Sequence, residues 1–182
     1  MNSRILWLPI VVVAVLSVSV PASGWSQDAD QPTPPCQQGE IHSQFDFWIG
    51  DWDVFSPQGQ QAGTNRIEKT QGGCLLVENW TGAGGGTGTS MNFYNPVSQK
   101  WIQIWTDPRG TIIDVEGDFR DGAMRFEGLH YYPDGSTQLY RMIFTPNDDG
   151  TVQQLIEQSR DQGTTWYVWF DGNYVRRGSS EP

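Results

Sequence analysis

Turn-forming residues interrupt the chain at regular intervals, and this spacing limits the folds that it can adopt. After Gly50, residues of the types Gly, Pro, Asn and Asp cluster about every 8 to 14 positions, and the segments between them are rich in aromatic and β-branched residues, which favour strands. The turns are expected at residues 56–59, 71–73, 95–96, 107–110, 121–122, 133–135, 147–150, 161–163 and 171–172. These nine turns predict about ten short antiparallel strands.

The short connections favour an up-and-down β-barrel. Strands joined by tight turns lie side by side in the order of the chain, and closing the sheet removes its exposed edges. A β-sandwich would need a longer crossover, and the one long Gly-rich link, residues 82–88, is better explained as a hairpin loop at a barrel mouth. The sequence therefore predicts an all-β, antiparallel barrel formed by a single domain, residues 36–182.

One short helix is expected before the first strand. Between residues 40 and 49 the apolar side chains of Ile41, Phe45, Trp48 and Ile49 recur at helical spacing. The strand pattern begins after this segment, so the helix is expected to lead directly into the barrel.

The N-terminus has the three parts of a secretory signal peptide. A basic head at residues 1–4 precedes an apolar run at residues 5–20, and the small residues Ala22 and Gly24 follow at the spacing of a cleavage site. We expect residues 1–24 to be this signal peptide.

A polar segment rich in proline follows the expected cleavage site. Residues 25–35 have no apolar pattern, and we expect them to form a disordered tether. A membrane anchor is the alternative for the apolar run, but Pro9 interrupts it and an anchor prefers about 20 apolar residues. We therefore expect a periplasmic or secreted protein with no stable membrane anchor after processing.

The chain has only two cysteines, Cys36 and Cys74. In an oxidising compartment two such cysteines most simply pair with each other, and this bridge would close a loop of about 39 residues. A reactive or metal-binding thiol pair is the alternative, but the cysteines lack CxxC spacing. We expect the disulfide, which would clamp the N-terminal segment onto the barrel.

Charge and composition exclude several functions. The formal net charge of −10 repels phosphate backbones, so we expect no nucleic-acid partner. Two histidines and two cysteines are too few for the usual zinc sites, so no metal site is expected. Nine tryptophans in a chain with 13% aromatic residues indicate a folded core.

The string FDFWIGDWDV, residues 45–54, resembles a motif in a family of exported bacterial proteins of unknown function with a predicted lipocalin-like (calycin) barrel. Further strings that resemble this family are Gly73-Cys74, Glu78-Asn79-Trp80, Asn92-Phe93-Tyr94 and Ser159-Arg160-Asp161. In calycins the Trp that follows the Gly of this motif closes one end of the barrel. The resemblance therefore implies that Trp52 is this plug and that Arg176 or Arg177 packs across it. It implies no activity and no catalytic residues.

The same resemblance makes His130 a candidate haem ligand, because some calycin-like proteins bind haem through one histidine. The alternative is an ordinary core or surface histidine, and we favour it. No other cofactor is expected.

Most strands have two different faces when read at a period of two residues. The first face is almost purely apolar and contains Leu75, Val77, Met91, Phe93, Ile102, Ile104, Tyr140, Met142, Phe144, Val152, Ile156, Trp166, Val168 and Phe170. The second face sets single polar groups among large apolar ones and contains Leu76, Glu78, Trp80, Asn92, Tyr94, Trp101, Gln103, Trp105, Leu139, Arg141, Ile143, Leu155, Glu157, Tyr167 and Trp169.

The second face has the composition of a ligand-binding cavity, which is mostly apolar with a few aimed polar groups. We therefore expect it to point into the barrel. A buried charge needs a partner, so Arg141 is expected to pair with a carboxylate, Glu78 or Glu157, inside the barrel. The alternative is that this face is solvated and that the first face fills a solid core.

The leading hypothesis is an exported barrel that binds a small, mainly apolar or aromatic molecule. The expected contact residues are Trp80, Asn92, Trp101, Gln103, Trp105, Arg141, Glu157 and Trp169. The same cavity could instead serve a small-molecule isomerase, cyclase or hydrolase, with Glu157 as the base and Arg141 stabilising negative charge. A third hypothesis is an envelope interaction protein that uses exposed tryptophans.

Overall fold

The computed structural model describes residues 33–178, which form a closed antiparallel barrel of ten strands. The strands are β1 Gly50–Phe55, β2 Gln61–Thr70, β3 Leu75–Gly82, β4 Thr87–Asn95, β5 Lys100–Thr106, β6 Ile112–Arg120, β7 Ala123–Tyr131, β8 Thr137–Pro146, β9 Val152–Ser159 and β10 Tyr167–Arg176. Each strand pairs with its neighbours in sequence, and β1 pairs with β10 to close the barrel. The predicted up-and-down barrel is confirmed.

Short 3₁₀ helices lead into the first strand. They span Pro35–Gln37, Glu40–Ser43 and Asp46–Trp48, and a fourth, Gln71–Gly73, joins β2 to β3. The helix expected over residues 40–49 is therefore present as two separate 3₁₀ turns. These short 3₁₀ helices bring Phe45 and Trp48 against the barrel, and no regular α-helix forms there.

One expected turn is wrong. Residues 171–172 lie inside β10, where the absence of a side chain at Gly172 makes room for Phe170. A Cβ on Gly172 would lie 2.5 Å from Cε1 of Phe170, far inside van der Waals contact. The Gly-rich link, residues 82–88, forms the predicted hairpin loop and connects β3 to β4.

Aromatic side chains close one end of the barrel. The rings of Phe45 and Trp48 have no exposed surface, and their centroids lie 5.0 and 4.7 Å from that of Phe144 on β8. Trp52 is equally buried, and its indole Nε1 donates a hydrogen bond to the carbonyl of Trp48 at 2.8 Å. Removing an aromatic ring from such a core costs about 3 to 5 kcal/mol. This closed end is therefore the rigid base of the barrel.

Arg176 lies across the plug, as the family resemblance implies. Its guanidinium carbon is 4.3 Å from the centroid of the Trp52 ring, and its Nη1 donates to the carbonyl of Ile49 at 3.0 Å. Arg177 points elsewhere and pairs with Asp53 at 3.1 Å. Arg176 thus joins the last strand to the segment that enters the first.

The Cys36–Cys74 disulfide is confirmed. It joins the first 3₁₀ helix to the turn before β3 and spans 38 residues of sequence. Lys69 reinforces this attachment, because its Nζ donates to the carboxylate of Asp46 at 2.6 Å and to the carbonyl of His42 at 2.9 Å. The entering segment is therefore fixed to the barrel by a covalent bond and by an ion pair.

The predicted signal peptide, residues 1–24, and most of the predicted tether lie outside the described residues. Within residues 33–178, no helix is long and apolar enough to span a membrane.

Candidate functional site

The interior of the barrel is formed by different faces on different strands. On β3, β4 and β5 the second face points inward, so Glu78, Asn92 and Gln103 are buried. On β8 and β9 the first face points inward, and Tyr140 and Ile156 are buried there. The prediction that the second face lines the barrel is therefore correct for three strands and wrong for two.

Arg141 and Glu157 do form an ion pair, but on the outside of the barrel. Arg141 Nε lies 2.6 Å from Glu157 Oε2, and the two residues face each other across β8 and β9. The guanidinium also covers the Trp166 ring at 4.2 Å, which shields its apolar plane from water. The predicted interior location of this pair is wrong, because the inward positions of β8 belong to Tyr140 and Met142.

The open half of the barrel contains a cavity of about 100 Å³, which we call the inner cavity. Its walls are mainly aromatic and aliphatic. The lining residues are Glu78, Trp80, Gln103, Trp105, Ile113, Tyr140, Met142, Gln154, Ile156, Trp169, Phe170 and Tyr174. Four of the predicted contact residues are among them: Trp80, Gln103, Trp105 and Trp169.

A second space of about 330 Å³, which we call the outer pocket, adjoins the inner cavity. It is lined by Trp105, Arg109, Thr111, His130, Tyr132, Pro133 and Trp169. The indoles of Trp105 and Trp169 line both spaces, and Trp169 keeps 46% of its surface exposed. The two spaces are therefore adjacent and share these two indoles; the inner space is the smaller, and the outer one is larger and more polar.

Besides Arg141 and Glu157, two more predicted contact residues lie away from both spaces. Trp101 is buried at the closed end, where its ring contacts Phe45 at 5.9 Å and its Nε1 donates to Gln44. Asn92 is fully buried behind Gln103 and accepts a hydrogen bond from the Gln103 amide at 2.6 Å. Asn92 therefore acts on the site through its hydrogen bonds to Gln103 and Ser90.

Two of the lining indoles pack against glycines. A Cβ on Gly88 of β4 would lie 2.1 Å from Cζ2 of Trp105, and a Cβ on Gly63 of β2 would lie 2.6 Å from Cη2 of Trp80. Each ring thus packs against the backbone of a glycine, and the side chain of any other residue at that position would displace the ring. Sequence reasoning missed these positions, although both glycines fall on the inward period of their strands.

A β-bulge brings two adjacent residues into the site. The register of β10 with β9 shifts between Val168 and Phe170, so strict alternation fails there. Trp169 and Phe170 therefore both line the inner cavity, while Val168 is exposed on the outer surface.

One hydrogen-bonded network crosses the barrel interior. It runs through Gln103, Asn92, Ser90, Glu78, Asn65, Tyr174, Gln154 and Met142, with successive distances of 2.6, 2.8, 2.6, 2.7, 3.2, 2.6 and 3.0 Å. The network satisfies polar groups that would otherwise be buried at a cost of about 1 to 3 kcal/mol each. It therefore fixes the polar floor of the inner cavity.

Glu78 is the carboxylic acid in this network. Its oxygens accept hydrogen bonds from Asn65 Nδ2 at 2.7 Å and Ser90 Oγ at 2.6 Å, and no cation pairs with it within residues 33–178. Burial raises the pKa of the Glu78 carboxyl above its ordinary value of 4.5, and these two hydrogen bonds only partly oppose the shift. The barrel interior therefore favours the neutral form of Glu78.

Replacing Glu78 with Gln should stabilise the protein increasingly as the pH rises. A raised pKa in the folded state means that this group's contribution to stability is complete below pH 4.5 and is lost as the pH rises through the folded-state pKa. Gln keeps an acceptor for Asn65, places an N–H group where an oxygen accepts from the Ser90 hydroxyl, and does not ionise. Urea denaturation between pH 4 and pH 8 measures the effect, and a constant difference between the variant and the wild type would contradict it.

Two buried polar atoms at this site have no hydrogen-bond partner among the described residues. They are the hydroxyl of Tyr140, a residue that lines the inner cavity, and Nε2 of His130, a residue that lines the outer pocket. The two side chains are only 1% and 2% exposed. Both atoms are fully covered, and an unsatisfied buried polar atom costs free energy, so each lowers the stability of the folded barrel.

The surroundings of His130 do not fit a haem. The ring of Tyr132 stacks on the imidazole at 4.2 Å, and Tyr140 and Trp169 approach it edge-on at 5.5 and 5.7 Å. Nε2 is fully covered, so no macrocycle can approach it in this arrangement. Across the described part of the chain, no three His, Cys, Asp or Glu side chains gather closely enough to hold a metal ion.

The two alternative functions lose the residues on which they depended. Arg141 and Glu157, the expected catalytic pair, lie outside the cavity. The expected surface patch does not form either, because Trp101 is buried and the indoles of Trp80 and Trp105 face inward.

A scan of protein-family models finds none that matches the chain, and a search of curated proteins finds no match either. The family resemblance of the FDFWIGDWDV string therefore stays a prediction.

Proposed function

We propose that this protein binds a small, mainly apolar or aromatic molecule at the open half of its barrel. The observation that carries the proposal is the aromatic-walled inner cavity, whose lining includes Tyr140, a residue with a buried hydroxyl that has no partner within residues 33–178. A solid structural core would have no reason to keep a buried hydroxyl without a partner, since phenylalanine has nearly the same shape. The arrangement is typical of a binding site, where a few polar groups orient a ligand among apolar walls.

The size of the site favours a ligand with one or two rings. An apolar cavity of about 150 Å³ can hold benzene, whereas the inner cavity has about 100 Å³. A ring therefore fills the inner cavity and extends past Trp105 and Trp169 into the outer pocket, which has about 330 Å³. Stacking on these indoles and burial of apolar surface supply the affinity.

We further propose that the protein is exported to an oxidising compartment and is related to the family that residues 45–54 resemble. The Cys36–Cys74 disulfide supports export, because such bonds persist mainly outside the reducing cytosol. The contact between Arg176 and Trp52 supports the family relationship.

Titration with 2-acetylnaphthalene, a two-ring probe, should quench the tryptophan fluorescence of the protein. Trp169 lines both spaces, whereas Trp166 lies outside the barrel under Arg141. Trp169→Phe should therefore remove part of the quenching, and the matched control Trp166→Phe should leave it unchanged. A flat titration, or loss of quenching in the Trp166 variant alone, would count against the proposed site.

A further inference from the structure

The inner cavity combines aromatic rings with one carboxyl group. Six of its lining residues are aromatic: Trp80, Trp105, Tyr140, Trp169, Phe170 and Tyr174. Glu78 is the acidic residue among the lining residues, and within residues 33–178 no Lys, Arg or His lines this cavity. Aromatic rings and a carboxylate both attract a cation, and proteins use aromatic cages to recognise ammonium groups. The composition of the cavity is therefore typical of a site for a positively charged amine.

Glu78 retains hydrogen-bonding capacity for such a group. Its Oε1 accepts from Asn65 Nδ2 at 2.7 Å and its Oε2 accepts from Ser90 Oγ at 2.6 Å. Each carboxylate oxygen can accept about two hydrogen bonds, so each keeps one acceptor position. The residue is 5% exposed and lines the inner cavity. Glu78 thus has hydrogen-bond donors around it, but among the described residues it has no positive partner.

The titratable groups that face Glu78 from neighbouring strands carry no positive charge. They are Tyr140 on β8 and Tyr174 on β10, and burial, with a smaller contribution from Glu78, raises the pKa of both hydroxyls. Arg109 is largely exposed, lines the outer pocket but not the inner cavity, and pairs with the carboxylate of Asp107 at 2.7 Å. A positive charge in the inner cavity therefore meets a carboxyl group and aromatic rings.

A cation loses less free energy on entering this cavity than on entering a purely apolar one. Folding has already removed Glu78 from water, so binding adds only the desolvation of the ammonium group of the ligand. The attraction between the two charges is stronger in the barrel interior than at the surface, and salt screens it less. A bound ammonium group therefore stabilises the ionised form of Glu78, which burial disfavours in the empty barrel.

We infer that the ligand carries a protonated amine on its aromatic body and that this ammonium group lies in the inner cavity beside Glu78. This inference rests on the proposed binding function and names the ligand class for that same site. It also orients the ligand, because Glu78 belongs to the polar floor of the inner cavity, whereas Trp105 and Trp169 line both spaces. The amine enters first, and the aromatic body extends past the two indoles.

Three probes of similar shape test the inference: 2-naphthylmethylamine, 2-naphthylmethanol and 2-naphthoate. They present a cation, a neutral group and an anion at the same position of the same ring system. We expect the amine to bind at least about tenfold more tightly than the alcohol, and the carboxylate to bind most weakly. Isothermal titration calorimetry at pH 7 in about 0.5 M sodium chloride measures the three affinities, because this salt concentration suppresses attraction to the acidic surface.

Glu78→Gln and Glu116→Gln form a matched pair of variants. Each removes one carboxyl group, but Glu116 is exposed on β6 and lies outside both spaces. Glu78→Gln should abolish the preference for the amine over the alcohol while the alcohol still binds. Glu116→Gln should keep the preference at about tenfold, since an exposed charge is screened by solvent and salt.

The pH dependence of the wild-type protein is a second measurement. The pKa of Glu78 lies above its ordinary value of 4.5, so the ionised fraction of this carboxyl rises between pH 4 and pH 8. The affinity for the amine should rise severalfold over this range, whereas the affinity for the alcohol should stay constant. His130 also faces the outer pocket, and burial lowers its pKa. The Glu78→Gln variant retains His130, so its affinity for the amine should not change with pH.

Every result either supports or overturns the inference. Binding of the alcohol or the carboxylate as tightly as the amine overturns it but leaves the proposed function intact. A preference for the amine that survives in Glu78→Gln, or that Glu116→Gln lowers equally, overturns it as well. So does an affinity for the amine that is constant between pH 4 and pH 8. Failure of all three probes to bind overturns both the inference and the proposed function.

Discussion

Replacing Cys36 and Cys74 together with serine is expected to lower the free energy of unfolding by about 4 kcal/mol. The bond spans 38 residues of sequence, so it strongly restricts the unfolded chain. It also holds the segment that carries Phe45 and Trp48 into the closed end of the barrel. Urea denaturation, monitored by the fluorescence of the buried tryptophans, measures this loss.

The control for this variant is the wild-type protein under a strong reductant, which should match the double-serine variant. If the two cysteine substitutions changed the free energy of unfolding by less than about 1 kcal/mol, the clamp would not contribute as the chain-entropy argument requires.

Replacing Gly88 with Ala is expected to weaken the binding of 2-acetylnaphthalene by more than tenfold. The new Cβ would lie 2.1 Å from Cζ2 of Trp105, and carbon atoms need about 3.5 Å or more. Since β4 is held in the barrel wall, the indole moves instead and occupies part of an inner cavity of only about 100 Å³. Isothermal titration calorimetry measures the change in affinity.

Gly86→Ala is the matched control, because it lies in the same Gly-rich segment and an added Cβ there meets no atom within 4 Å. It should bind the probe as the wild type does. Equal affinities in the Gly88 and Gly86 variants would show that the packing of Trp105 against Gly88 does not shape the binding site.

The architecture could be predicted from the sequence because it depends on local signals. Turn residues determine where the strands end, and short turns leave few ways to connect ten neighbouring strands. The disulfide followed from the presence of only two cysteines. The error at residues 171–172 has a local cause as well. An Asp-Gly pair is typical of a turn, and only the structure shows that the Phe170 ring lies where a side chain at Gly172 would be.

The inward faces of β8 and β9 could not be predicted, because both faces of β8 carry large apolar residues and both faces of β9 mix apolar with polar residues. The outside of the barrel keeps large apolar residues such as Met91, Ile104 and Val168 exposed, so hydrophobicity alone does not mark the interior. A pair such as Arg141 and Glu157 satisfies the rule for paired charges equally well outside, where solvent removes the desolvation cost.

Much of the site depends on contacts across strands. Trp80, Gln103, Trp105 and Trp169 could be predicted because they share a sequence pattern of aromatic and polar residues. The role of Tyr140 could not, because it rests on the absence of a partner for its hydroxyl, which only the assembled interior reveals. The bulge at Val168 likewise becomes visible only when β9 and β10 are paired.

The most direct test of the binding site is the ¹H–¹⁵N spectrum of the tryptophan indole N–H groups during titration with 2-acetylnaphthalene. The indoles of Trp80, Trp105 and Trp169 line the inner cavity, so we expect their resonances to shift. Trp48, Trp52 and Trp101 lie at the closed end, and their resonances should stay unchanged. Unshifted resonances from Trp80 and Trp105 at saturating probe would contradict the proposed ligand-binding cavity.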